Sequence, residues 1–83
     1  MKRIELIEQL QKYIVEQILD GQNVGLDEAT PLLEWGVINS LEIVRLLSFI
    51  RKQFNIDIPS DQMIADNFVN LGVIADMVMI HRQ

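Results

Sequence analysis

Residues 39–54 combine a strong helix start with a dense helical pattern of apolar side chains, and this segment restricts the fold more than any other. Asn39 is a favourable N-cap, because its side-chain oxygen can accept a hydrogen bond from the first helical turn. Behind it, apolar residues recur at helical spacing: Leu41, Ile43, Val44, Leu46, Leu47, Ile50 and Phe54. The pattern predicts an amphipathic helix over about residues 40–54, with Ser40 in its first turn.

The remaining segments also carry helical signals. A first helix is predicted over about residues 2–19, ended by Gly21, with a core-facing stripe of Ile4, Ile7, Leu10, Ile14 and Ile18. After extended residues 56–58 and Pro59, Ser60 can cap a short third helical turn through Met63 and Ala65. A last helix begins at a cap on Asn67 or Asn70 and has the stripe Leu71, Ile74, Met77 and Val78. We therefore predict an all-α fold, a small bundle of three long helices and one short helix.

A long connection over residues 21–38 precedes Ser40. Glycine and proline punctuate it, and its apolar residues can anchor it to the bundle: Leu26, Leu32, Leu33, Trp35 and Val37. Connections of this length in small domains are usually packed on the body or functional. We expect both here, with Trp35 packed against the bundle and the loop placing Ser40 at the surface.

Composition limits the class of protein. The chain has 83 residues, of which 49% are hydrophobic, and no cysteine, so we expect one domain over residues 1–83 that is stabilised by its core alone. No apolar run is long enough to span a membrane, and no signal peptide is recognisable, so we expect a cytoplasmic protein without membrane insertion. We also expect a monomer. The net charge of −5 disfavours nucleic-acid binding, because phosphate backbones require a basic face.

Ser40 has three possible roles on its position alone. It can be an ordinary helix-start serine, a site of covalent attachment, or a nucleophile. A nucleophilic Ser40 would need a general base, and the one histidine, His81, lies far along the chain near the C-terminus. No Gly-rich phosphate loop, supported carboxylate pair or His/Cys ligand set is present, so we predict neither an enzyme nor a metal site.

The order of motifs resembles the acyl and peptidyl carrier protein family, most clearly over residues 32–78. The matching segments are Asn39-Ser40-Leu41, then the aromatic and isoleucine-proline stretch over residues 54–59, then the phenylalanine entry to the last helix over residues 66–71. The resemblance implies a discrete, stand-alone carrier. Ser40 would then be the attachment residue for phosphopantetheine derived from coenzyme A, and Asn39 the helix N-cap beside it.

The resemblance also implies partners. A phosphopantetheinyl transferase would modify Ser40, an adenylating or acyl-transfer enzyme would load the arm, and downstream synthases or transferases would use the thioester. The residues expected to form the docking surface are Val37, Leu41, Arg45, Met63 and Ile64.

Two features depart from the family pattern. Asn39 stands where an aspartate is most common, so it lacks that negative charge. Arg45, Arg51 and Lys52 give the second helix a basic character, whereas fatty-acid carriers show an acidic second helix to basic partner patches.

The basic helix favours a role in polyketide, nonribosomal peptide or other specialised biosynthesis. A D-alanyl carrier for cell-wall polymers and a fatty-acid carrier stay open as alternatives. Two alternatives from other classes also stay open. One is a non-modified helical interaction module, and the other, which the net charge disfavours most, is a helix-turn-helix protein.

Overall fold

The computed structural model describes residues 2–22 and 25–82, and these contain three α-helices. They are α1 (Arg3–Tyr13), α2 (Ser40–Phe54) and α3 (Leu71–His81). A π-helical segment (Ile14–Ile18) continues α1, and two 3₁₀ turns (Ser60–Gln62 and Ala65–Phe68) lie between α2 and α3. The described residues contain no strand, and the prediction of an all-α carrier-like bundle is confirmed.

Helix α2 has the bounds that its sequence predicts. Asn39 caps it, and Asn55 ends it in the left-handed conformation at φ 55°. Leu46 and Ile50 are fully buried on its inner face. This helix therefore places Ser40 at one end of a rigid element.

The first helix covers the predicted range, but its buried face is rotated from the predicted one. Its buried residues are Leu6, Ile7, Leu10 and Ile14. The prediction for Ile4 is wrong, since this residue is 64% exposed, and Ile18 is only partly buried. At about 100° per residue, Ile4 falls roughly a quarter turn from the centre of the buried stripe.

Among the described residues of the loop before α2, four apolar side chains are buried: Leu26, Leu32, Val37 and Ile38. The backbone N–H of Leu32 donates to the carbonyl of Val69 (2.8 Å), which fixes the loop against the segment that precedes α3. Trp35, predicted to pack on the bundle, is 63% exposed. The hydrogen-bonded turn over residues 31–36 buries Leu32 instead, and this leaves the indole outside the core.

The predicted short helix is present as two 3₁₀ turns. Ser60 is the first residue of the first turn and makes no side-chain cap. The extended backbone of Ile64 (φ −117°, ψ 151°) prevents one continuous helix. Asn67 does not cap α3 but donates from its side chain to the carbonyl of Gln62 (2.8 Å). The cap of α3 is Asn70, whose Oδ1 accepts from the N–H of Val73 (2.8 Å).

Arg3 links three parts of the chain across the outside of the core. Its guanidinium pairs with Glu28 (2.7 Å) and with Asp76 (2.8 Å), and so connects α1, the loop and α3. Hydrogen bonds to Asp76 and then to Glu28 raise the pKa of Arg3 above its ordinary value.

No helix within residues 2–22 and 25–82 is both long and apolar enough to cross a bilayer.

Candidate functional site

Ser40 is the first residue of α2 and is exposed. Ile38, two residues earlier, is only 2% exposed, and Gly36 turns the chain before it at φ 71°. The backbone on both sides of Ser40 is therefore held, by a core residue on one side and by the helix on the other. A group attached to the hydroxyl would project into solvent from a fixed point.

A reciprocal pair of hydrogen bonds closes the start of α2. The N–H of Glu42 donates to Asn39 Oδ1, and the N–H of Asn39 donates to Glu42 Oε1, both at 3.0 Å. This is a capping box, which satisfies two backbone donors and orders the first turn. The sequence reading missed Glu42, although an N-cap residue followed three positions later by glutamate is a recognisable signal.

Two donors remain beside the hydroxyl. Among the described residues, none accepts a hydrogen bond from the N–H groups of Ser40 and Leu41. Free N–H groups and the positive end of the helix dipole together favour an anionic group at this position. The first turn of α2 thus fits the phosphate of a phosphopantetheine arm.

Four of the five predicted docking residues lie at the surface. Leu41 is 69% exposed, Ile64 53% and Met63 41%, and Arg45 is also exposed. Val37 is different, because it is 8% exposed and belongs to the core. Its burial removes it from the docking surface that we propose below.

A shallow groove separates α2 from the first 3₁₀ turn. Its volume is about 210 Å³, and its walls include Val44 and Leu47 from α2 and Ile58 and Met63 from the following segment. Apolar side chains from two elements therefore meet on one side of α2.

No side chain in the described part of the chain hydrogen-bonds the hydroxyl of Ser40. Residues 2–22 and 25–82 also hold no group of three histidine, aspartate or glutamate side chains that could bind a metal ion. What the geometry provides at Ser40 is an accessible hydroxyl beside two backbone N–H donors that have no acceptor among the described residues.

Comparison with known proteins agrees with this geometry. The family model described as "Phosphopantetheine attachment site" matches residues 8–78. The "Probable acyl carrier protein PigG" of Serratia sp. (strain ATCC 39006) is 32% identical over 66 residues, which make up 80% of this chain and 76% of PigG.

A chain of one solved structure has a similar fold. A chain from a structure described as "Crystal structure of FAD-dependent dehydrogenase" superposes with a TM-score of 0.76 and 33% identity. The match covers 83% of this chain and 97% of the other.

The family match spans most of the chain, and the match to PigG covers most of both proteins. Proteins of this family are generally not catalysts; they carry a covalent phosphopantetheine group and work with partner enzymes. This chain belongs to the phosphopantetheine-binding family of acyl carrier proteins.

Proposed function

We propose that Ser40 is the residue of this carrier protein to which phosphopantetheine is attached. The observation that carries the proposal is the position of Ser40 as an exposed first residue of α2, beside a closed capping box and two free N–H groups. When bound, the arm supplies a terminal thiol that holds an acyl or aminoacyl group as a thioester.

The chain offers two other serines, and neither has the same surroundings. Ser48 is exposed on α2, but it lies in the interior of the helix, where backbone N–H groups are paired along the ladder. Ser60 begins a 3₁₀ turn of only three residues and makes no side-chain cap. The helix dipole would stabilise an attached phosphate least at these two positions, since its effect is confined to the ends of helices.

In this proposal the protein carries its cargo and presents it to partner enzymes. Residues 1–83 act as one carrier domain, which is cytoplasmic and monomeric and has no catalytic activity of its own. A tether raises the concentration of the cargo at each partner's active site. Leu41, Arg45, Met63 and Ile64 are all exposed, and they form the docking surface that we propose. Leu41 directly follows Ser40 on α2, and Met63 lines a groove together with Val44 of α2.

Specialised biosynthesis is the context that we favour, with a polyketide or nonribosomal peptide pathway as the leading example. The basic exposed residues of α2 support this choice over fatty-acid elongation, and a D-alanyl carrier is the alternative. The partners in the proposal are a phosphopantetheinyl transferase, an adenylating or acyl-transfer loading enzyme, and downstream enzymes. The similarity to a chain of a FAD-dependent dehydrogenase structure supports a flavin enzyme among the downstream partners.

Intact-mass spectrometry tests the proposal. The purified protein is incubated with coenzyme A and a promiscuous phosphopantetheinyl transferase, and it should gain one phosphopantetheine. Ser40→Ala should gain none, while its helical circular dichroism stays unchanged. Ser48→Ala is the matched control and should be modified as fully as the wild type. A wild-type protein that gains no mass would favour the non-modified interaction module instead.

A further inference from the structure

The outward face of α2 forms a continuous exposed stripe, which we call the α2 stripe. Its members recur at spacings of three or four residues and are all exposed: Leu41, Val44, Arg45, Ser48, Arg51 and Lys52. The stripe begins one residue after Ser40. An enzyme that engages the serine at this end of the helix is therefore close to the first residues of the stripe.

The charge of the stripe is opposite to that of the molecule. The chain has a net charge of −5, yet three of its seven basic residues lie on the stripe. The one acidic residue of α2 is Glu42, and its carboxylate is engaged in the capping box. Among the described residues, Arg45, Arg51 and Lys52 form no ion pair, in contrast to Arg3, which forms two.

Two of these cations border the same depression. Arg45 and Lys52 line an open cleft of about 470 Å³ between α2 and the end of α1. Tyr13 and Phe49 also line the cleft, and their rings stack with centroids 4.3 Å apart. The cleft is thus lined both by two cations that form no ion pair and by a stacked pair of aromatic rings.

Arg51 has a different setting. It lines the groove on the other side of α2, and Asp57 lines the same groove. A carboxylate nearby partly offsets the field of this guanidinium, although the two side chains form no ion pair. Arg45 and Lys52 are therefore the two cations of the stripe whose cleft is lined by no carboxylate of the described residues.

We propose that the α2 stripe docks partner enzymes whose contact surface presents carboxylates around apolar side chains. Arg45 and Lys52 face the carboxylates, and Leu41 and Val44, which are 69% and 48% exposed, meet the apolar side chains. This inference rests on the proposed carrier function and names the chemistry of the partner surface. Rim charges of this kind act mainly on the association rate and on the rejection of wrong partners.

A protein surface fits the stripe better than a nucleic acid or an anionic membrane does. Those polyanions are extended, so the acidic remainder of the molecule would lie within their field and be repelled. A compact acidic patch on an enzyme contacts the stripe without approaching the rest of the chain. The exposed Leu41 and Val44 also match the apolar core of a protein interface.

Kinetics with a malonyl transferase of the fatty-acid type test the inference, because such enzymes present a basic docking patch. The substrates are phosphopantetheine-loaded wild type, Arg45→Glu/Lys52→Glu, and the control Lys2→Glu/Arg82→Glu. The control has the same change in net charge, made outside α2. Each is also tested with a transferase whose docking cations are replaced by glutamate.

With the native transferase, Arg45→Glu/Lys52→Glu should raise kcat/KM by roughly threefold to tenfold at low salt, as expected for exposed charge pairs. The gain should shrink at about 0.5 M NaCl, where exposed charges are screened. With the transferase whose docking cations are replaced by glutamate, the wild type should have a higher kcat/KM than Arg45→Glu/Lys52→Glu. The control variant should follow the wild type with both enzymes.

Three results would overturn the inference. Equal rates for wild type and Arg45→Glu/Lys52→Glu with both transferases would show that the stripe does not sense charge. An equal effect of the control variant would show that only net charge matters. Binding to phosphatidylglycerol vesicles that depends on Arg45 and Lys52 would assign the stripe to a lipid surface. The mass of every substrate is verified before the kinetics. A wild-type protein that cannot be modified refutes the carrier proposal. Equal rates of fully modified proteins refute the docking inference alone.

Discussion

Asn39 is the residue on which the geometry of Ser40 depends most. Its side chain accepts from Glu42, and its own N–H donates to the Glu42 carboxylate, so the first turn of α2 is closed on both sides. An asparagine caps a helix about as well as an aspartate does. The departure from the common aspartate therefore leaves the local structure intact and changes only the charge beside Ser40.

Loss of this cap should destabilise the protein. Asn39→Ala is expected to lower the free energy of unfolding by about 0.5–2 kcal/mol, the usual range for an N-cap. Asn70→Ala is the matched comparison, because Asn70 caps α3 with a bond of 2.8 Å to the N–H of Val73. Urea unfolding measures both, and an unchanged midpoint for Asn39→Ala would mean that the capping box is not formed in solution.

A change of charge without loss of the cap should act on modification instead. Asn39→Asp keeps an acceptor at the same position, so its urea midpoint should equal that of the wild type. We expect its initial rate of phosphopantetheine attachment to rise, because the family's transferases more often meet an aspartate here. Rates equal to or below the wild-type rate would show that the amide is no handicap.

At this scale the sequence predicted the Asn39 cap and the position of Ser40 in the first turn, because both follow from local rules about helix starts. It assigned Val37 both to the loop's apolar anchors and to the docking surface, and only the anchor role agrees with its burial; it did not predict the exposure of Trp35. Both residues lie in a loop, where no periodicity relates an apolar residue to a face. Their environment depends on which residues the turn over 31–36 directs inward, and hydrogen bonds far along the chain, such as that of Leu32 to Val69, determine this.

Among the elements, α2 and α3 were the most predictable. Each has an asparagine cap and a clear apolar stripe, so the buried face can be read locally, although the sequence left the start of α3 open between Asn67 and Asn70. The continuation of α1 was not predictable in the same way. The N–H of Leu19 bonds to the carbonyl of Ile14 (3.0 Å), five residues back, and the apolar pattern does not distinguish this π-helical geometry from an α-helix.

The inner and outer faces of α2 should differ sharply in their contribution to stability. Leu46→Ala removes a fully buried side chain and should cost about 2–5 kcal/mol, as should Ile14→Ala on the first helix. Leu41→Ala is the matched control, the same substitution at a residue that is 69% exposed, and it should stay within about 0.5 kcal/mol of wild type. Similar losses for Leu46→Ala and Leu41→Ala in urea would place the core on the wrong face of the helix.

Across the whole molecule, polar links connect segments that are distant in sequence. Arg3 joins Glu28 and Asp76, and the N–H of Gly72 donates to the carbonyl of Glu28 (3.2 Å). These contacts bind the loop that leads to Ser40 to the first and last helices. Nothing in the local sequence around Arg3 indicates a partner 73 residues away, so this part of the fold required the structure.

Removal of this link should weaken the assembly of the bundle without changing its helices. Arg3→Gln is expected to lower Tm at low salt, and the difference from wild type should narrow at high salt, because the ion pairs are exposed and screened. Lys2→Gln, a neighbouring loss of one positive charge, is the control. A fall in Tm that high salt does not reduce would assign the effect of Arg3 to packing and not to its charge.

The location of the modification tests the central claim most directly. Tandem mass spectrometry of the modified wild-type protein, after digestion, assigns the added group to one peptide and one side chain. The three serines, Ser40, Ser48 and Ser60, are all exposed, so accessibility alone does not select among them. Phosphopantetheine on Ser40 alone is the result that we predict; phosphopantetheine on Ser48 or Ser60, or on no residue, would contradict the proposed site.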